Sequence, residues 1–158
     1  MHTRLLPVVA AALLVCCAGA TRAAELAVVV HPQNPVTALS AHELRELLLM
    51  ERQHWRGGLR IYLLLPESGT PEKDLLLRRA LQMNEDQLRR HYLAKLYSGE
   101  IPAFPGTAAS AAAARRVVAH APNALAVVDS SAVDATLKVI RIDGLRPGEA
   151  GYLLASPR

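Results

Sequence analysis

The chain has 158 residues, 51% of them hydrophobic, 20% charged and 4% aromatic, with a mean hydropathy of +0.17. That length suits one small domain and excludes a large multidomain enzyme, and the apolar content excludes a disordered polymer. Eighteen Lys and Arg against fourteen Asp and Glu leave a net charge of +4, too small an excess, with so few aromatics, to mark a nucleic-acid binder.

The chain opens with Met1-His2-Thr3-Arg4, which brings one positive charge, followed by an uncharged apolar run over 5–18 and then small residues. This pattern predicts a secretory signal peptide over 1–23, cleaved after Ala20 or Ala23. The run is shorter than the roughly twenty apolar residues of a membrane span, so no stable membrane insertion is expected after cleavage, and the product is periplasmic or secreted. Cys16 and Cys17 are the only cysteines. Lipidation of either is the lesser reading, because Val15 and Cys16 stand where a small residue is needed. Cleavage removes both cysteines, so no disulfide framework follows. Cleavage after Ala23 also removes Arg4 and Arg22 and no acid.

The folded domain is expected over 24–143, with 144–158 as a C-terminal tail. Residues 24–31 (AELAVVVH) read as a strand stopped by Pro32 and Pro35. Ser40 and Glu43 form a capping box for a helix over 41–51, with Leu44, Leu47 and Leu48 on one face. Residues 54–58 (HWRGG) end it. The apolar run over 59–65 (LRIYLLL) then suits a strand covered on both faces, as in parallel sheets. Thr70 as N-cap and Pro71 at the first helical position start the next helix, whose buried stripe is Leu76, Leu77, Ala80 and Leu81. Asn84 and Gln87 begin a third helix that runs to Gly99, with Leu88, Tyr92 and Leu96 on one face and Leu93 and Tyr97 also assigned to the core. Residues 102–106 read as a loop, the alanine-rich stretch 108–121 as a helix, and 124–128 and 137–142 as two closing strands with a helical turn near 131–134. This alternation is an α/β pattern.

The order of motifs carries a resemblance. Asn34-Pro35, the helix opening Leu39-Ser40-Ala41-His42-Glu43-Leu44, Trp55-Arg56-Gly57-Gly58, Ser68-Gly69-Thr70, His91-Tyr92, Tyr97-Ser98-Gly99 and Pro122-Asn123-Ala124 together resemble the short secreted proteins related to the phosphate-binding component of phosphate ABC transporters. The similarity spans roughly 25–143. It implies a single lobe of a type 2 periplasmic binding protein-like fold, with a mixed, mostly parallel sheet flanked by helices. It further implies a binding protein rather than an enzyme, with phosphate or another small anion as ligand and an ABC permease or envelope protein as partner. In that family a loop of the Ser68-Gly69-Thr70 type grips phosphate. The chain departs from the pattern at Leu64, where an arginine is expected, and at Glu67, where a glycine is expected. The length accommodates one lobe, which leaves a second reading: a degenerate module whose groove serves protein interaction or envelope sensing without ligand transport.

On residue chemistry alone, Ser68-Gly69-Thr70 before a helix offers two hydroxyls and free amides to an anion, with Lys73 in the first turn. The same residues also make an ordinary helix cap and turn. Glu67 and Glu72 oppose an anion by Coulomb repulsion. Trp55 either packs as an aromatic wedge or lines a partner surface. The histidines of the exported part, His31, His42, His54, His91 and His120, show no metal-ligand spacing, and Ser110 lacks the glycines of a nucleophile elbow. No catalytic residue, metal site or cofactor is expected.

Overall fold

The computed structural model describes residues 24–157. The expected signal peptide, with Cys16 and Cys17, lies outside the described residues. Strand β1 (Leu26–Val30) is followed by the short β2 (Ala38–Leu39) and helix α1 (Ala41–Leu48). Next come β3 (Tyr62–Pro66), α2 (Pro71–Leu76) continuing into a π-helical turn (Leu77–Leu81), and α3 (Glu85–Tyr97). Strand β4 (Gly106–Ala108), α4 (Ala111–His120), β5 (Ala124–Asp129), a 3₁₀ turn (Ser130–Ala132), β6 (Lys138–Val139) and β7 (Arg141–Ile142) complete the order.

The main sheet has the order β4-β3-β5-β1-β6. Strand β3 is parallel to β4 and β5, whereas β1 is antiparallel to β5 and β6. Four of the five strands therefore run in one direction, and β1 alone opposes them. A separate parallel pair joins β2 to β7.

Helices cover both faces of this sheet, which explains why its strands read as unbroken apolar runs. Alternation still sorts them. Val28, Val30, Leu63, Leu65, Leu125 and Val127 point to the side covered by α1, α2 and α3. Ala27, Val29, Leu64, Ala124 and Ala126 point to α4, which answers with Ala114 and Val118. The alanine-rich helix lacks bulky core residues because the strands beneath it carry alanines in turn. Small faces on both sides let helix and sheet approach closely.

Several local expectations are corrected. The third strand begins at Tyr62 and not at Leu59. Gly57 and Gly58 take φ of +112° and +88°, turning the chain so that Trp55 N–H donates to Leu59 O at 2.9 Å. Leu59 is consequently exposed at the turn. Tyr97, assigned to the core by helical spacing, is 85% exposed, because at 3.6 residues per turn it lies on the side of α3 opposite Leu88, whereas Leu96 in the same last turn packs against the core. The loop over 102–106 ends in β4, too short at three residues for its alternation to be read.

Helix α1 shows how local chemistry is settled. Ser40 Oγ accepts from Glu43 N–H at 3.1 Å, and the Glu43 carboxylate accepts from Ser40 N–H at 2.8 Å. That backbone bond, aided by the guanidinium groups of Arg52 and Arg56 at 3.5 and 3.7 Å, holds the Glu43 carboxyl below its ordinary value. Ser40→Ala should cost about 1 kcal/mol in a urea titration, the usual value of a lost N-cap. The folded carboxyl binds its proton more weakly than the unfolded one. Its contribution is therefore complete above the ordinary carboxylate range and is lost as pH falls through the folded value. The stability deficit of Glu43→Gln at pH 7 should accordingly shrink as pH falls below the ordinary carboxylate range. A deficit that does not change with pH would show that the ionised carboxylate has no part in the cap.

Candidate functional site

Ser68, Gly69 and Thr70 follow β3 and open α2, with Gly69 supplying the positive φ of +79° that the turn requires. Thr70 Oγ1 accepts from Lys73 N–H at 3.2 Å and donates to Glu67 O at 2.7 Å. Ser68 Oγ donates to Glu85 Oε1 at 2.8 Å. The three residues lie together as the sequence predicts, but both hydroxyl protons already have acceptors within the chain.

The loop also separates two cavities. Thr70 lines one of about 100 Å³ at the C-terminal ends of β3, β4 and β5, opposite the start of α4. Glu67, Glu72 and Asp129 line this cavity and no basic side chain does. At 4 Å each carboxylate would oppose an anion by about 1 kcal/mol in water, and more in a drier setting. The arginine position four residues ahead of Ser68 holds Leu64, which is buried against α4 and offers no cation.

Ser68 faces the other cavity, of about 170 Å³, between α2, α3 and the segment leading into β4. Lys73 lies on its wall and is only 3% exposed. Burial pushes the Lys73 ammonium pKa down, and the Glu85 charge partly opposes that shift. Sequence reading placed Lys73 in the first helical turn as a helper for an anion at the loop. Its spacing to Leu76 and Leu77, i to i+3 and i+4, was the signal that it lies on the buried stripe instead.

Asn34, Trp55 and Asn123 gather at the other end of the strands. Trp55 is 5% exposed, and its indole N–H donates to Asn123 O at 3.1 Å, an oxygen that also accepts from Tyr62 N–H at 3.0 Å. Asn123 Nδ2 donates to Arg60 O at 3.0 Å. Asn34, buried, accepts from Val36 N–H at 3.0 Å and donates to Pro122 O at 3.3 Å. Trp55 is thus the packing wedge, and the Asn-Pro and Pro-Asn motifs are latches that join β1, β3 and β5. Among the described residues no group of three or more His, Cys, Asp or Glu could hold a metal ion, and no helix is long and apolar enough to cross a membrane.

No family model matches the sequence, and no curated protein does. Solved structures do match. A phosphate transport receptor from Vibrio cholerae superposes with a TM-score of 0.67 at 17% identity, over 84% of this chain and 53% of its own. A putative phosphate ABC transporter substrate-binding protein from Clostridium perfringens, with bound phosphate, gives 0.65 at 16% identity, over 79% of this chain and 47% of its own. PstS from Borrelia burgdorferi gives 0.63 at 12% identity, over 80% and 50%. The chain has the fold of phosphate ABC transporter substrate-binding proteins. It spans about half the length of those structures. They are substrate-binding proteins and not enzymes.

Proposed function

We propose that the protein is an extracytoplasmic binding module of the phosphate-transporter type, exported by residues 1–23, that meets phosphate or a related anion weakly or together with a second protein. That partner, an ABC permease or an envelope protein, would supply the facing half of the cleft. One observation carries the reading: Ser68-Gly69-Thr70 sits at the C-terminal end of a parallel strand, in a fold that matches phosphate-binding proteins over half their length. In open α/β sheets that end of the strands is where ligands are met. The weakness follows from Glu67, Glu72 and Asp129 around the Thr70 cavity.

Isothermal titration of the purified chain with phosphate tests this. Binding is expected in the millimolar range, weakened in Thr70→Ala. Replacing Glu67 and Glu72 together by Gln should tighten it about tenfold or more, since about 1 kcal/mol of repulsion leaves with each charge. Unchanged affinity in Thr70→Ala would take the loop out of the site.

A second reading, a single-lobe module for protein interaction or envelope sensing without ligand transport, is favoured by one feature: both loop hydroxyl protons are already donated within the chain. Absence of phosphate heat in both the native chain and the double Gln variant would select it.

A further inference from the structure

The cavity on the Ser68 side has a composition that the phosphate reading does not use. Lys73 lines it with only 3% of the residue exposed, and its Nζ makes no hydrogen bond or ion pair among the described residues and is not sealed from solvent, so the ammonium keeps an open side. Buried charges are ordinarily paired, because leaving water without a partner is expensive. The nearest counter-charge, Glu85, is turned to Ser68, whose hydroxyl it accepts at 2.8 Å. Arg89 stands at the rim and is held by Asp86 at 2.7 Å. The rest of the wall is apolar, from Leu65, Leu88, Tyr92 and Phe104, with the hydroxyl-bearing Thr107 of β4 beside them. The Tyr92 hydroxyl is turned away and donates to Leu48 O.

We propose that this cavity binds a small organic carboxylate with an apolar body, its carboxylate on the Lys73 ammonium and the Thr107 hydroxyl and its body against Leu65, Leu88, Tyr92 and Phe104. Three features select this class. A single ammonium beside the Glu85 carboxylate suits a ligand of one negative charge, because Glu85 opposes every anion here and opposes a dianion such as phosphate about twice as strongly. An apolar wall rewards a ligand with carbon surface, roughly in proportion to the area removed from water. The volume of about 170 Å³ admits a body the size of an aromatic ring. This site is separate from the carboxylate-lined Thr70 cavity and does not depend on phosphate binding there.

Benzoate is the probe, with benzyl alcohol as its uncharged counterpart, titrated into the purified chain by calorimetry and by amide chemical shifts. Benzoate should bind with a dissociation constant of about 1 mM or below, shifting the amides of Leu88 and Thr107, and benzyl alcohol should bind at least tenfold more weakly. Lys73→Met keeps the side-chain stem and removes the charge. It should melt no lower than the native chain and lose benzoate at least tenfold. Leu88→Phe, which fills the cavity and leaves Lys73 in place, should lose benzoate as well. Phosphate at 10 mM should leave benzoate affinity unchanged, and Thr70→Ala should do the same. Equal binding of the acid and the alcohol, benzoate affinity surviving Lys73→Met, displacement by phosphate, or no benzoate binding at 10 mM would each overturn the proposal.

Discussion

A chain ending at Asp143 should not fold cooperatively. Residues 144–157 contain no helix or long strand, yet Tyr152 and Leu154 are 1% and 0% exposed within the main core. Strand β1 explains why. Along one edge it pairs with β5 over its whole length, but along the other β6 covers only Val29 and Val30. The C-terminal segment takes up the uncovered start of that edge: Leu26 N–H donates to Leu154 O at 3.0 Å, Ser156 N–H donates to Ala24 O at 2.8 Å, and Glu25 bridges Ala155. Truncation would expose these backbone groups and empty two core sites at once. Tyr152→Ala alone should cost about 3–5 kcal/mol and Leu154→Ala about 2–5 kcal/mol. Together these rival the whole stability of an ordinary domain, about 5–15 kcal/mol.

The same residue offers a sharper comparison. The Tyr152 hydroxyl and Glu25 Oε2 are both buried without a partner, and burial, with the Glu25 charge second, pushes the phenol pKa well up. Tyr152→Phe removes an unsatisfied polar atom and keeps the ring, so it should leave stability unchanged or raise it by about 1 kcal/mol. Urea titrations of the two variants followed by circular dichroism would check both statements. A loss of more than 1 kcal/mol in Tyr152→Phe would mean that the hydroxyl is bonded to Glu25 in solution.

Legibility in the sequence followed the range of the forces involved. Helix starts were readable because a cap is a contact between residues three apart. Ser40, Thr70 and Asn84 each cap the helix that their spacing predicts. The apolar strands were readable because covering on both faces leaves no polar side to interrupt them. Non-local features were missed. Strand β4 exists because the edge of β3 accepts Gly106–Ala108, with the Tyr62 side chain lying over Gly106, where a Cβ would come within 2.9 Å of its hydroxyl oxygen and push it aside. The C-terminal segment 144–158 reads as a tail, since its only apolar run, Tyr152-Leu153-Leu154-Ala155, is too short to show a period, and its place in the core depends on contacts with β1 far away in sequence. At the candidate site, the placing of Ser68-Gly69-Thr70 was legible, but the loss of both hydroxyl protons to Glu67 O and Glu85 was not. One acceptor is a backbone atom, and the other is seventeen residues away.

Trp55 separates fold from function most directly. Trp55→Ala should cost about 3–5 kcal/mol, the range for deleting a buried large aromatic. The indole lies in the main core while its N–H reaches the same Asn123 carbonyl that receives Tyr62 at the start of β3. It therefore joins the turn after α1 to the loop that precedes β5, at the end of the sheet remote from Ser68-Gly69-Thr70. Trp55→Phe should cost less, since the ring partly refills the site and Asn123 O keeps its bond from Tyr62. The lost N–H donor accounts for about 1 kcal/mol, and the smaller ring adds a packing loss. Because Trp55 is the only tryptophan, its fluorescence in the native chain reports unfolding of this junction, and circular dichroism serves for the variants. A cost below 1 kcal/mol for Trp55→Ala would return the indole to the alternative role of a partner-facing residue. With the core role holding, Trp55→Phe should leave phosphate and benzoate affinities unchanged while lowering the denaturation midpoint, which distinguishes a residue that holds the lobe together from those that line its cavities.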